Sequence, residues 1–342
     1  MNTTRARVLR IAWPIVLANA AVPLLGLADT AVIGRTGRTA DLGSIALGAL
    51  LFSFLYWSFG FLRMGTTGFT AQAAGAGDEP EVRAALARAL ALGAAVGLGL
   101  VALQLPVSAV AFRLLHGSAE VESLARSYFT IRIWGAPATL ATFALLGLFV
   151  GLGASRLLLI VQVVLNGLNI ALDVLFAGVL GWGVRGIALG TVIAEWSTVL
   201  LALGLAVRLL RARRRDDEPL LPLARLRDLS RLARTLSANA DIMVRTLFLL
   251  FGFAWFTDQS ARFGDTLLAA NHVLLQLVSF AAFFLDGFAF ASESLVGTAM
   301  KSTPLINCVF VVIRPPLEWL SGAPPRAALP IISACRGARI PK

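Results

Sequence analysis

The sequence predicts an all-α polytopic membrane protein, on the evidence of its composition, its hydropathy and the length of its apolar runs. Of its 342 residues, 58% are hydrophobic and 14% are charged, and the mean hydropathy is +0.80. A chain this apolar cannot cover itself with polar side chains, which excludes a soluble globular domain. Intrinsic disorder is excluded because it requires low hydrophobicity. Long uninterrupted apolar runs favour helices over the alternating strands of a membrane barrel.

Eight apolar runs are each long enough to cross a bilayer as a helix, which takes about 20 residues. Polar segments separate the runs, and the longest separator is Arg211–Arg234, between the sixth and the seventh. The runs cover residues 11–33, 44–75, 89–115, 128–153, 157–180, 186–209, 236–257 and 267–299. We therefore expect eight transmembrane helices, with one long basic connection among otherwise short ones.

The distribution of arginine among the connecting segments predicts the orientation of the chain. With a cytoplasmic N-terminus, fifteen arginines fall in inside segments and six in outside segments. Nine of the fifteen lie at the connection between the sixth and seventh runs. Because Lys and Arg concentrate in cytoplasmic loops, we expect the N-terminus in the cytoplasm. The same rule accounts for the net charge of +11 without nucleic acid as a partner.

The second and eighth runs align with each other at an offset of 223 residues, which indicates an internal repeat. The matched pairs are Ala46 and Ala269, Leu51 and Leu274, Phe61 and Phe284, Leu62 and Leu285, and Arg63 and Asp286. The two copies are offset by six spans, so the repeats are parallel, and internal repeats are typical of secondary transporters. Two complete units of this kind would contain twelve spans.

The repeat divides the chain into four predicted parts. Residues 1–210 form a six-helix N-lobe, 211–234 a basic cytoplasmic linker, and 235–300 the first two helices of a C-lobe. Residues 301–342 differ in character, because they hold seven of the 14 prolines and both cysteines, Cys308 and Cys335. We expect this tail to be foreign to the fold, a disordered product of a frameshifted or truncated reading frame. The alternative is a natural short variant.

Polar side chains from three predicted spans lie at one level in the outer half of the N-lobe. Asp29 lies in the first span, Asn169 and Asp173 lie one turn apart on one face of the fifth, and Thr191 lies in the sixth. With a rise of 1.5 Å per residue, Asp29, Asp173 and Thr191 lie roughly 6, 10 and 7 Å from the outer ends of their spans. Ionisable residues inside a membrane mark candidate functional sites, and this set could hold a proton or a sodium ion. Alternatively, Asp29 lies near the headgroups and hydroxyls cap Asp173.

A second polar set lies in the inner half of the partial C-lobe. It comprises Asn239, Asp241 and Arg245 in the seventh span and Asp286 and Glu293 in the eighth. Asp286 and Glu293 are seven residues apart and share a helix face. We expect Arg245 to pair with one of these carboxylates, with a substrate contact as the alternative. Arg63 in the second span is interpreted as structural.

No pattern in the sequence is typical of an enzyme or a cofactor site. His116 and His272 are isolated, and the two cysteines lie in the tail. The sequence contains no nucleotide-binding glycine loop, catalytic triad or metal-ligand spacing. We therefore expect a protein that is not an enzyme and carries no cofactor, in which a proton or sodium gradient drives transport.

Several short motifs follow one another along the chain. They are Leu27-Ala28-Asp29-Thr30-Ala31-Val32-Ile33-Gly34, Phe61-Leu62-Arg63-Met64-Gly65-Thr66-Thr67-Gly68, Gly75-Ala76-Gly77-Asp78, Asn169-Ile170-Ala171-Leu172-Asp173, Gly190-Thr191-Val192-Ile193-Ala194-Glu195, Arg245-Thr246, Ala269-Ala270-Asn271 and Phe284-Leu285-Asp286-Gly287-Phe288-Ala289. Their order and spacing, over roughly residues 5–299, resemble the multidrug and toxic compound extrusion (MATE) family, and its DinF-type branch in particular.

The resemblance implies a twelve-helix antiporter with two six-helix lobes around a central cleft, monomeric and located in the bacterial plasma membrane. Members export cationic or amphipathic compounds in exchange for protons or sodium ions. By resemblance, Asp29, Asn169, Asp173 and Thr191 form the ion-coupling cluster, where protonation reshapes the first helix and drives substrate release. This chain departs from the family in lacking the last four helices.

Other functions stay open from the sequence alone. One is a lipid-linked oligosaccharide flippase of the same superfamily, which should carry more basic residues in its cleft to meet pyrophosphate. Another is a non-functional transporter fragment. A membrane-embedded enzyme would need catalytic groups that converge at one interface, and none are evident.

Overall fold

Long apolar helices account for nearly all of the described chain. The computed structural model describes residues 9–19, 32–34, 38–114, 118–214, 222–226, 228–262 and 265–299, and no strand occurs among them. The helices are α1 (Leu9–Asn19), α2 (Thr39–Ser58), α3 (Phe61–Gly75), α4 (Glu79–Ala102), α5 (Gln104–Leu114), α6 (Ala119–Arg132), α7 (Ala136–Gly151), α8 (Ser155–Asp173), α9 (Gly183–Ala212), α10 (Leu223–Leu226), α11 (Leu229–Arg262) and α12 (Asp265–Ala299). The structure thus confirms the predicted all-α class.

Six stretches of the described chain are long and apolar enough to cross a membrane. They are Ala40–Gly75, Glu79–Ala102, Ala119–Gly151, Ser155–Val179, Gly183–Ala212 and Thr235–Phe253. These stretches fall on the second to seventh predicted spans. The eighth predicted span lies in α12, whose 35 residues extend over about 52 Å. Of the first predicted span, the structure describes residues 11–19 and 32–33.

Helices α4 and α6 begin 10 and 9 residues before their apolar runs, because polar residues form their first turns. The Asp78 side chain caps α4 by accepting a hydrogen bond from the Glu81 backbone N–H at 3.2 Å. The Ser118 hydroxyl caps α6 in the same way, accepting from the Val121 N–H at 3.3 Å. Acidic residues follow both caps, where the helix dipole favours negative charge. Hydrophobicity alone therefore places these two starts too late.

Helix α7 lies at the centre of the N-lobe. Its sequence is apolar on every face, a pattern typical of a helix surrounded by protein. Leu140, Leu145 and Leu148 are fully buried. Glycines let α3 approach closely: a Cβ at Gly147 or Gly151 would overlap backbone atoms of α3. Buried residues of α7 and α9 contribute to two apolar clusters, one around Leu145 and Leu148 and the other around Leu140 and Ile187.

Two membrane-spanning segments lose regular α geometry beside ionisable residues. Between α6 and α7 the chain forms a 3₁₀ turn, Ile133–Gly135, directly after Arg132. Pro137 explains this break, because proline lacks an N–H and clashes with the carbonyl of the residue four positions earlier. After Asp173, α8 continues as a π-helical segment, Val174–Val179. Such irregular turns inside helices are frequent at functional positions.

Ion pairs attach the basic connection between α9 and α11 to the start of α4. Arg225 Nη1 lies 2.6 Å from Asp78 Oδ2 and 3.4 Å from Glu81 Oε2. Arg213 Nη2 lies 2.6 Å from Glu79 Oε1. The hydrogen bond to Asp78 raises the pKa of Arg225 above its usual value, so this arginine stays charged. The acidic start of α4 therefore neutralises part of the arginine-rich connection.

Candidate ion-coupling site

The predicted polar residues of the fifth and sixth spans meet where α8 packs against α9. Asn169 and Asp173 on α8 are completely buried, and Thr191 on α9 is 5% exposed. Asn169 Nδ2 donates to Thr191 Oγ1 at 3.1 Å, and Thr191 Oγ1 donates to the Ile187 carbonyl at 2.9 Å. We call these three residues the N-lobe cluster. The fourth predicted member, Asp29, lies outside the described residues.

Glycines on α9 make room for the Asp173 carboxylate. A Cβ at Gly190 would lie 2.8 Å from Asp173 Oδ1. One turn earlier, a Cβ at Gly186 would lie 2.9 Å from the Phe176 carbonyl carbon, in the π-helical segment. The two glycines therefore bring α9 against the end of α8 and enclose the carboxylate. A charged carboxylate in such a place is costly unless a cation or a proton accompanies it.

A buried ion pair beside this cluster was not among the residues selected from the sequence. Glu195 follows Thr191 by one turn of α9 and is 7% exposed. Arg132 Nη1 lies 3.1 Å from Glu195 Oε1. The available signal was the presence of opposite charges inside two predicted spans, 128–153 and 186–209. Their pairing was not evident because the two spans are not consecutive.

Part of the second polar set lies between α12 and α3. The guanidinium carbon of Arg63 lies 4.0 Å from the Phe290 ring centroid, and Arg63 interacts electrostatically with Asp286 and Glu293. Asn239 of α11 is 5% exposed and contacts Gly65 of α3. The two positions matched by the repeat, Arg63 and Asp286, thus carry opposite charges and interact.

The expected pairing of Arg245 with Asp286 or Glu293 is wrong for the described residues. Arg245 is exposed, and its Nη2 lies 3.8 Å from Met64 Sδ. Asp241 is also exposed. Arg245 follows Asn239 by six residues, which turns its side chain well away from the buried face of α11. The cation that faces the two carboxylates is Arg63.

Comparisons with known proteins agree with this architecture. A family model described as MatE matches residues 14–175. DNA damage-inducible protein F of Escherichia coli is 41% identical over 289 residues, 84% of this chain and 62% of that protein. A probable multidrug resistance protein NorM of Deinococcus radiodurans is 32% identical over 306 residues, 85% of this chain and 63% of that protein.

A solved structure shares the fold. A MOP superfamily transporter from Pyrococcus furiosus superposes with a TM-score of 0.75 at 22% identity, covering 86% of this chain and 64% of that one. The chain spans less than two thirds of the length of the relatives that it matches. The family model covers α8 up to and beyond Asp173, and the E. coli relative matches most of the chain. The sequence comparisons thus relate residues 14–175 to the MatE family, and most of the chain to the E. coli and D. radiodurans proteins.

Proposed function

We propose that the chain acts in the export of cationic or amphipathic compounds, driven by a proton or sodium gradient through alternating access. The observation that carries the proposal is the N-lobe cluster, a completely buried carboxylate enclosed by two helices next to a π-helical segment. A cation that neutralises Asp173 must enter from one side and leave to the other, which requires the helices around it to rearrange. The multidrug resistance name of the NorM relative supports this substrate class.

Two of the arginines inside the spans, Arg132 and Arg63, do not favour a flippase for lipid-linked oligosaccharides. Such a flippase needs arginines that are available to a pyrophosphate group. Arg132 is paired with Glu195, and Arg63 faces Asp286 and Glu293. These arginines are therefore better suited to balancing acidic side chains than to binding an anionic lipid headgroup.

We further propose a location in the bacterial plasma membrane, as a monomer with a cytoplasmic N-terminus. The arginine asymmetry of the connecting segments supports this orientation. The ion pairs between Arg225 and the start of α4 would then lie on the cytoplasmic side. The outer half of the N-lobe would hold Asp173 and Thr191.

Transport by the reconstituted chain tests the proposal. Tetraphenylphosphonium is added to liposomes that contain the chain. Either a pH gradient or a sodium gradient is then imposed at constant ionic strength. We expect one of the gradients to drive export, and we expect Asp173→Asn to reduce export to the level of empty liposomes. Glu122→Gln is the control, because Glu122 pairs with Arg126 in an exposed position. Absence of export under both gradients, or full export by Asp173→Asn, would contradict the proposal.

A further inference from the structure

One face of α9 changes from apolar to basic near the end of the helix. Leu200, Leu203 and Val207 lie along this face at helical spacing, and Arg208 and Arg211 continue it. Leu200 is 66% exposed and Leu203 is 40% exposed, and both arginines are exposed. The five residues line a groove of about 640 Å³ on the surface of the described chain. We call them the α9 groove.

The α9 groove lies outside the packed face of the helix. The residues of α9 that enter the apolar core near this end are Val199, Ala202, Ala206 and Leu210, all of them buried. The groove residues lie on a neighbouring face, and no other helix of the described chain lines the groove. An exposed apolar surface on a membrane-spanning helix marks a contact with the membrane.

The depth of the arginines matches the boundary of the hydrocarbon core. Arg185 and Arg208 flank the apolar run of α9, and Glu195 is the one ionisable residue between them. At 1.5 Å per residue they are about 34 Å apart, against a core of about 30 Å. Arg208 therefore lies at the level of the lipid headgroups, with Arg211 about one turn farther out. Leu200 lies about 12 Å deeper than Arg208, within the same leaflet.

The acidic side chains at the start of α4 cannot neutralise these two arginines, because they are paired already. Other arginines bind them, in the pairs Arg213–Glu79, Arg225–Asp78, Arg225–Glu81 and Arg88–Glu81. Within the part of the chain that the structure describes, neither Arg208 nor Arg211 forms an ion pair with a carboxylate. Their position at the membrane surface makes a lipid headgroup a suitable counter-charge.

We propose that the α9 groove binds one anionic phospholipid, with the phosphate at Arg208 and Arg211 and an acyl chain along Val207, Leu203 and Leu200. Guanidinium groups match phosphate oxygens in bidentate geometry. Basic residues beside the end of a membrane helix attract anionic headgroups. A zwitterionic lipid carries a positive group next to its phosphate, which the two arginines repel. The occupant is therefore a lipid of net negative charge, and its binding does not require export.

Lipid counting by native mass spectrometry tests the site. The full chain in a non-ionic detergent is titrated with phosphatidylglycerol and, separately, with phosphatidylcholine of the same acyl chains. We expect one phosphatidylglycerol per wild-type chain, bound roughly tenfold more tightly than phosphatidylcholine. The double variant Arg208→Gln with Arg211→Gln should bind it roughly twentyfold more weakly. Equal binding of the two lipids, or no saturable binding because another part of the chain fills the groove, would overturn the proposal.

Arg214→Gln is the matched control for the loss of charge. Arg214 is exposed at the same end of α9 but does not line the groove. Arg211→Gln should weaken phosphatidylglycerol binding roughly fivefold, whereas Arg214→Gln should keep the wild-type affinity. Equal losses in the two single variants would show that the overall positive charge attracts the lipid, and would overturn the site.

The apolar part of the groove separates a lipid from a soluble phosphate. Glycerol 3-phosphate carries the phosphate without acyl chains, and we expect it not to bind at concentrations at which phosphatidylglycerol saturates the site. Leu200→Asn should weaken phosphatidylglycerol binding roughly fivefold. Leu98→Asn is its control, because Leu98 is 61% exposed on α4, away from the groove. Tight binding of glycerol 3-phosphate, or equal effects of the two asparagine variants, would contradict a lipid in the α9 groove.

Discussion

At the scale of single residues, the N-lobe cluster could be predicted from spacing and depth. Asn169 and Asp173 are four residues apart, so a helix must place them on one face. Thr191 lies at a matching depth in the next span, and consecutive spans joined by a short turn run antiparallel. The Asn169–Thr191 hydrogen bond follows from these two facts. The Arg132–Glu195 pair could not be found in this way, because its helices are separated by two others.

The role of Gly190 leads to a prediction about Asp173. A methyl group at this position would lie 2.8 Å from Asp173 Oδ1, so Gly190→Ala must move the carboxylate. We expect the affinity for the coupling ion to fall roughly tenfold or more, because a small displacement of a binding group is costly. Ion titration of the variant in nanodiscs measures the change.

Gly204→Ala provides the control for this experiment. Gly204 lies on the same helix, and a Cβ there would meet no atom of the described chain within 4 Å. Alanine favours the helix over glycine by about 1 kcal/mol, so this variant should fold at least as well as wild type. Equal ion affinities in the two variants would contradict the assigned role of Gly190.

At the scale of helices, the contact between α3 and α12 explains the charge pattern of the repeat. Arg63 and Asp286 occupy matched positions, and the structure brings them within electrostatic range. Small residues permit the close approach, since a Cβ at Gly75 would overlap the backbone of Thr298. A weak sequence repeat therefore identified two helices that pack against each other. The repeat did not reveal that the two helices are in contact, because an alignment indicates which positions are equivalent and gives no distance between them.

Exchanging the two charges tests this contact. Arg63→Asp alone places a third acid beside Asp286 and Glu293 and should lower the thermal stability of the chain. Adding Asp286→Arg should restore much of the loss, with a coupling energy of about 1 kcal/mol or more. Thermal unfolding of the purified variants in detergent measures the cycle.

Asp241 serves as the control position for the charge exchange. It lies on α11, is exposed, and has the same charge as Asp286. Arg63→Asp combined with Asp241→Arg should remain as unstable as Arg63→Asp alone. If both double variants recover equally, net charge rather than the contact between α3 and α12 determines the stability.

Hydropathy alone does not predict the two irregular segments, the 3₁₀ turn Ile133–Gly135 and the π-helical segment Val174–Val179. Pro137 signals the 3₁₀ turn before α7, although an apolar run continues through it. The π-helical segment Val174–Val179 contains no proline, and its apolar sequence does not differ from that of a regular helix. This segment packs closely against Gly186 of α9, a contact that only the folded chain shows.

At the scale of the whole molecule, composition determines the fold class and packing determines the site. The low charge content requires a membrane environment, and the lengths of the apolar runs predict most of the helices. Their polar first turns lie outside any hydropathy pattern, as at Asp78 and Ser118. The wrong partner predicted for the C-lobe carboxylates has the same origin. Arg245 and Arg63 both lie among apolar residues in the sequence, and they differ only in the helix face on which they lie.

We expect ion binding at Asp173 to be linked to substrate binding. Linkage is reciprocal, so a coupling ion that drives export must also change the affinity for the exported compound. The most direct measurement is the Kd of tetraphenylphosphonium for the chain in nanodiscs, as a function of pH without sodium and as a function of sodium at fixed pH.

In this measurement, we expect one of the two ions to weaken tetraphenylphosphonium binding to the wild type by roughly 5- to 150-fold, the usual range of coupling between sites. The Asp173→Asn variant should still bind tetraphenylphosphonium, but its Kd should lose most of the dependence on the ion. A wild-type Kd that responds to neither ion, or an Asp173→Asn variant whose Kd responds as strongly as that of the wild type, would contradict the link between ion binding at Asp173 and substrate binding.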